Sequence, residues 1–395
     1  MGNMLELGKK HENYIVELRR EFHRFPELSL EEVETTKRIV RELTAMGLEV
    51  ETFTDFPGCV GILKGGKPGK TVLIRSDIDG LPVPEKTGLP FTSEIEGRSH
   101  ACGHDSHIAM TLGAAKILCE KKEELPGTVK FYFQTAEELA CGCRMGVEHG
   151  VAKGVDACIG GHVWGWFHAP KINLQAGPRM ASCDNFTLTV RGKAANGLTP
   201  QEGKDAIVAA AAVIMNAQQI VSRWNDPQNP LVVTIGTYDG GESPDTVADE
   251  VKMVGTVRTY SREVRAEVEG KLRQIAEDTA KTYDCAAELE YNYLCGPIIN
   301  DNEKLLAIAR NSGVKLFGED VFVEMEKVTG SEDFSYLMEE APSLYCYLGG
   351  WSDDVPGSEK PNHHECYTVD ENILHRGAAF YAQFAEDFLN SDFEK

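Results

Sequence analysis

Four short runs, "KTVLIRSDI" (70–78), "GTVKFYFQT" (127–135), "ACIGGHVW" (157–164) and "SLYCYLGG" (343–350), are almost unbroken in apolar and β-branched residues. A strand with one wet face alternates apolar and polar residues, whereas a strand covered on both faces does not. These runs therefore read as buried strands of a largely parallel sheet. Between the first two, "IAMTLGAAKILCEKKEEL" has a helical pattern. The resulting βαβ rhythm predicts an α/β layer structure. Two helices are expected ahead of it. Ile15, Leu18, Phe22 and Phe25 recur at helical spacing until Pro26. Then "SLEE" offers Ser29 as an N-cap with Glu32 three residues on, a capping box, and Gly47 is the expected C-cap.

Near residue 181 the texture changes. "DNFTLTVRGKA" and "EVKMVGTVRTYS" alternate apolar and polar residues, as half-solvated strands do. The stretches "DAIVAAAAVIMNAQQIVSRW" and "EVRAEVEGKLRQIAEDTAKTYD" read as long helices. The pattern is β-α-β-β-α-β, an inserted α+β unit of ferredoxin-like type. The expected organisation is a catalytic domain in two parts, 1–180 and 295–395, split by a lid and dimerisation domain, 181–294.

A chain of 395 residues favours two domains over one. Its 40 basic and 62 acidic side chains give a net charge of −22, which repels phosphate backbones and anionic lipid. Nucleic acid and membranes are thus not expected as partners. No stretch reads as the roughly 20 apolar residues of a membrane span. The start lacks the apolar core of a signal peptide, and the eleven cysteines are an odd number. A reduced, cytoplasmic location is expected, with thiols available as ligands.

Potential ligands gather where the buried strands end. Asp77 and Asp79 close one strand; Cys102, His104 and Asp105 lie in the loop before a helix. Glu137 and Glu138, then His162, then His363 and His364, follow the others. Open α/β sheets bind ligands outside the carboxyl ends of their strands. Singly, each residue has an ordinary structural reading: a core histidine, a solvated glutamate pair, an inert buried cysteine. Together they suit a dinuclear metal site, in which one glutamate binds metal while its neighbour moves protons. A cysteine hydrolase built on Cys102 is the competing reading, and it gives the glutamates no task.

The ordered segments "HRFPELSLEE", "RSDIDGLP", "SHACGHDSH", "FQTAEE", "GGHV", "GSEDFSY" and "NHHECYTVDE" resemble those of dinuclear metallo-amidohydrolases of the aminoacylase/carboxypeptidase-G type. The subfamily is that of N-acyl-amino-acid amidohydrolases, hippurate hydrolases and auxin-conjugate hydrolases. The resemblance implies that Cys102, His104, Glu138, His162 and His363 hold two divalent ions, zinc or manganese, with Cys102 as the bridge. It makes Glu137 the general base and acid, and Asp79 an orienting partner of a ligand histidine. His363 is preferred to His364 because the family's ligand lies seven residues before the aspartate matched by Asp370. The implied reaction is hydrolysis of the amide bond of small N-acyl amino acids or dipeptide-like compounds. The implied assembly is a homodimer through the lid.

Three positions depart from the family pattern. Asn196 stands where relatives carry an oxyanion-binding histidine; its amide can still donate a hydrogen bond, but it never carries an imidazolium's charge. In "AANGL" it also suits a turn. Asp245 replaces an asparagine at a substrate-contacting position, and "QTAEE" replaces a proline-containing version. Arg258 is the expected substrate-carboxylate clamp, with a surface strand arginine as its plainer reading. Asn196 and Asp245 point to shifted specificity, or alternatively to a metal-dependent binding protein with weak or no turnover.

Overall fold

A computed structural model describes residues 3–394. The chain divides into two compact units. One comprises Met1–Gly177, Ile299–Glu326 and Asp333–Lys395; the other comprises Pro178–Ile298 and Lys327–Glu332.

The first unit is built on a seven-stranded sheet. Its order is Glu49–Thr52, Gly58–Lys64, Pro126–Gln134, Lys67–Asp77, Ala157–His168, Ser343–Trp351, Ile172–Asn173. The strands Pro126–Gln134, Lys67–Asp77, Ala157–His168 and Ser343–Trp351 run parallel, and the outer strands join antiparallel. Val72, Leu73, Ile74, Phe131, Ile159 and Leu344 are fully buried, as strands covered on both faces require. The helices His104–Glu120 and Asn372–Asn390 are buried around most of their circumference and share this core. From Lys67–Asp77 the chain passes through His104–Glu120 to Pro126–Gln134 on one side; Ala157–His168 is then added on the other. The sheet's switch point therefore lies between the carboxyl halves of Lys67–Asp77 and Ala157–His168, where such folds bind ligands.

Three local expectations are corrected here. The helix after Pro26 starts at Val33, and no Ser29–Glu32 capping box forms. Ser29 Oγ instead donates to Asp79 Oδ2 at 2.7 Å, while Glu32 accepts from Thr135 Oγ1 at 2.6 Å and from the Ala136 amide at 2.9 Å. His104 is not in a loop but opens the helix that follows. His162 does not end its strand, which continues to His168.

The second unit's main sheet has four antiparallel strands in the order Leu231–Gly240, Glu250–Thr259, Cys183–Arg191, Ala286–Cys295, and the short strands Ala195–Asn196 and Thr246–Val247 pair separately. Helix Ala206–Gln219 connects the main sheet's first two strands in sequence, and Arg262–Lys281 its last two. Strict alternation along Glu250–Thr259 buries Val251, Met253 and Val257 against Phe186, Val213 and Leu272. Among the described residues, Ala206–Trp224 is one helical stretch long and apolar enough to cross a membrane by length and composition alone. Its Ala209, Ala210, Val213 and Ala217 are spent on this unit's own core.

Candidate metal centre

Cys102, His104, Glu137, Glu138, His162 and His363 all belong to the first unit. Their potential ligand atoms form overlapping groups, each within 4.8 Å: Cys102, His104 and His162; Cys102, Glu138 and His363; His104, Glu137 and Glu138. Cys102 is shared by the first two groups. Gly103 makes this possible locally. It has φ of +93°, and a Cβ there would come within 2.5 Å of Val163 Cγ2. Only glycine allows the turn that sets Cys102 on one side of the helix start and His104 on the other. His363 is brought in by its own left-handed backbone, φ +71°. The His363 amide donates to the Ala101 carbonyl at 2.7 Å, and Asn362 Nδ2 donates to the Cys102 carbonyl at 2.9 Å. His364 is not part of the cluster, since its Nδ1 accepts from the Cys366 amide at 3.0 Å.

The imidazoles are oriented from behind. His104 Nδ1 donates to the Asp79 carbonyl at 2.9 Å and lies 3.1 Å from Asp79 Oδ1, leaving Nε2 buried with no hydrogen-bond partner. His162 Nδ1 donates to the Val163 carbonyl at 2.6 Å, and its Nε2 lies 3.3 Å from Cys102 Sγ. His107 is different, because both of its nitrogens are used. The Val163 amide donates to Nε2 at 2.9 Å, so the ring proton sits on Nδ1, 2.5 Å from Asp77 Oδ1. His107 thus holds the strand beside His162, although its ring also lies within 4.8 Å of ligand atoms of Asp77 and His104. Asp79 also accepts from the Glu138 amide at 3.0 Å, tying the glutamate pair to His104.

The electrostatics of the cluster are those of a cation site. Burial disfavours charge on His104, yet Asp77, Asp79 and Glu138 hold its pKa up at about 10. Burial, then Glu138, Glu137 and Asp77, push the Cys102 thiol well above its ordinary range. Glu138 Oε1 is buried without a hydrogen-bond partner, 3.3 Å from His363 Nε2. Orphaned imidazole and carboxylate atoms, a thiol and surplus negative charge fit divalent cations.

A second, fully buried network under the cluster escaped sequence reasoning. Arg75 donates to Gln134 at 2.8 Å, to Asp77 at 2.8 Å and to Asp333 at 3.0 Å; Asp333 also accepts from Gln134 Nε2 at 2.7 Å and from the Cys143 amide at 2.9 Å. Removing one partner leaves buried charge uncompensated. Asp333→Ala is expected to destabilise the protein by about 3 kcal/mol in urea unfolding. A loss below 1 kcal/mol would mean the network is not bearing that charge.

Asn196, Asp245 and Arg258 lie in the second unit. Asn196 and Thr246 are cross-strand partners, and the Gly197 amide donates to the Asp245 carbonyl at 2.7 Å. The two departures therefore share one exposed turn region. Asn196 Oδ1 accepts from the Leu198 amide at 2.9 Å, which occupies the oxygen end of its amide. Arg258 is half-buried and donates to the Thr329 carbonyl at 3.1 Å.

Residues 73–387 match peptidase family M20/M25/M40. The chain belongs to that family. It is 36% identical over 376 residues to the N-acetylcysteine deacetylase of Bacillus subtilis, covering 94% of this chain and 96% of that one. Thermostable carboxypeptidase 1 of Saccharolobus solfataricus is 34% identical, with 96% of each chain covered. The solved structure of the Bacillus subtilis YXEP protein, a dinuclear metal-binding peptidase of the M20 family, superposes with a TM-score of 0.84 at 34% identity, covering 96% of this chain and 99% of that one. This M20 chain is a hydrolase of the metallopeptidase class, acting on linear amide bonds.

Proposed function

We propose that this M20 enzyme hydrolyses the amide bond of small N-acyl amino acids, using two divalent cations held by Cys102, His104, Glu138, His162 and His363. The observation that carries the reading is the sharing of Cys102 between the His104–His162 group and the Glu138–His363 group. One thiolate in two such groups is the arrangement a bridging ligand needs. Zinc and manganese both suit the donor set; the thiolate favours the softer zinc. When bound, such cations supply Lewis acidity and make a water nucleophile accessible near neutral pH.

The chain's residues do the rest. Glu137, beside but distinct from the ligand Glu138, takes a proton from the attacking water and returns it to the leaving amine. Asp79 fixes His104 and Glu138 in one geometry, and His107 fixes the strand carrying His162. Asn196 is assigned to the oxyanion, its NH2 end donating where relatives use an imidazole. Asp245, in the same turn region, disfavours a substrate with a free carboxylate at that point and favours a neutral or cationic group. Arg258 is assigned to the substrate carboxylate. Self-association through the inserted unit belongs to the same proposal; its helix Ala206–Gln219 exposes Val208 and Met215.

The test is a panel of N-acetyl, N-aroyl and dipeptide substrates assayed after chelation and after return of zinc or manganese. Turnover is expected only with metal, and on N-acyl amino acids. Full activity in the chelated protein would sink the metal assignment; cleavage of dipeptides alone would sink the substrate class.

A further inference from the structure

Two cysteines outside the metal cluster face one another at the point where the chain enters and leaves the second unit. Cys183 begins the first strand of that unit's four-stranded sheet and Cys295 ends the last, and the two are direct cross-strand partners. The pairing depends on a bulge. Tyr293 is opposite Asp184, so Leu294 is the extra residue that lets Cys295 arrive opposite Cys183. The bulge is held in place, because the Leu294 amide donates to Asp184 Oδ1 at 3.2 Å. Asp184 is itself anchored by Arg265 at 2.8 Å. Directly opposed residues of antiparallel strands have Cα atoms about 4.5–5.5 Å apart. That lies inside the range of roughly 4.4–6.8 Å which a disulfide spans.

We propose that Cys183 and Cys295 form a reversible disulfide, a redox-sensitive clasp joining the first and last strands of the inserted unit's four-stranded sheet.

The chemistry around Cys183 suits this role. A hydrogen bond from Cys295 pulls its thiol below the ordinary range, against its burial, and Arg258 and Ser331 add to the effect. By contrast, burial pushes the Cys59 thiol up to about 12, and does the same to Cys346 against a hydrogen bond with Tyr381, so both are inert. Cys183 keeps 8% exposure, enough for a small oxidant such as a peroxide, while Cys295 is fully buried behind it as the resolving thiol. In the first step the Cys183 thiolate attacks one peroxide oxygen, the O–O bond breaks, and one water leaves with the proton taken up. The sulfenic acid so formed is attacked by the Cys295 sulfur; the S–O bond breaks and a second water leaves. Two thiols are oxidised to one disulfide and one peroxide is reduced to two waters. Dithiol reductants reverse it. Closing the clasp also removes the thiolate that faces Arg258, so the oxidised enzyme is expected to show a changed KM for carboxylate substrates.

The experiment treats the full-length, metal-loaded enzyme with graded hydrogen peroxide, alkylates the remaining thiols and maps peptides without reduction. The expected result is a Cys183–Cys295 linked peptide, lighter by two hydrogens than the separate pair. It should appear at doses that leave Cys59 and Cys346 alkylatable, and vanish with dithiothreitol. Cys183→Ser and Cys295→Ser should each remove it and hold the thermal midpoint unchanged on oxidation, whereas the wild-type midpoint rises. Because the wild-type map needs no variant, a misfolded variant does not blunt the test. Both cysteines remaining alkylatable after half-exposed Cys366 is consumed would overturn the proposal. Overoxidation of Cys183 without linkage to Cys295 would overturn it equally.

Discussion

Glu137→Gln is expected to lower kcat about 100- to 10,000-fold while leaving metal content at the wild-type level. The substitution keeps the side chain's shape and removes only its ability to take up a proton. Its neighbour Glu138 is positioned by the Asp79 carboxylate through its amide, so the backbone of the pair is fixed independently of the Glu137 side chain. Fixation comes from the other side as well. Ala136 has φ of +51°, a strained conformation for a residue with a side chain. It is held there by Glu32, which accepts from the Ala136 amide and from Thr135 Oγ1. With the loop clamped at both ends, changing the Glu137 head group should not displace Glu138. Metal analysis beside single-turnover rates separates the possibilities. A parallel fall in metal and rate would make Glu137 a ligand; an unchanged rate would remove it from the mechanism. Glu138→Gln is the matched control, expected to lose metal first.

The sequence carried the candidate ligands but hid what holds them. Cys102, His104 and Glu138 follow recognisable strands and His162 lies inside one, at places where an α/β sheet binds ligands, so strand pattern and residue chemistry pointed the same way. Ser29 and Glu32 show where local pattern misleads. Their spacing satisfies a capping box, yet each turns away from its own helix toward a partner far along the chain, Asp79 and Thr135. Local hydrogen-bonding rules contain no information about a buried acceptor that the fold brings near. The Arg75–Asp77–Gln134–Asp333 network was invisible for the same reason, since Arg75 and Asp333 are 258 residues apart. The one-residue bulge at Leu294 lies below what alternation can register, and it alone decides that Cys295 faces Cys183.

Cys102→Ala is expected to break the site in two, because it removes the donor that joins the His104–His162 group to the Glu138–His363 group. Expected are loss of at least one of the two cations at stoichiometric loading and loss of turnover, with the folded state retained, since the side chain is small and its removal leaves little void. The variant also has a pH signature. In the absence of a cation the Cys102 thiol is raised well above its ordinary range by burial and by Glu138, Glu137 and Asp77, and His104 is held protonated up to about 10. Both must give up a proton to ligate, so at neutral pH metal uptake releases protons from both groups. Apparent affinity rises as pH rises, because fewer protons have to be displaced, and falls as the solution is acidified. Each displaced proton contributes about tenfold per pH unit, so wild type should approach a hundredfold change per unit near neutrality. Cys102→Ala removes one of the two protons, and its slope should drop to about tenfold per unit, carried by His104. Titration with zinc or manganese in buffers of increasing pH reads that slope directly, with no need for residual activity. Equal slopes in the two proteins would show that Cys102 enters the site already deprotonated, or not at all. The first would contradict the negative charge packed around the thiol; the second would remove the bridge on which the dinuclear reading rests.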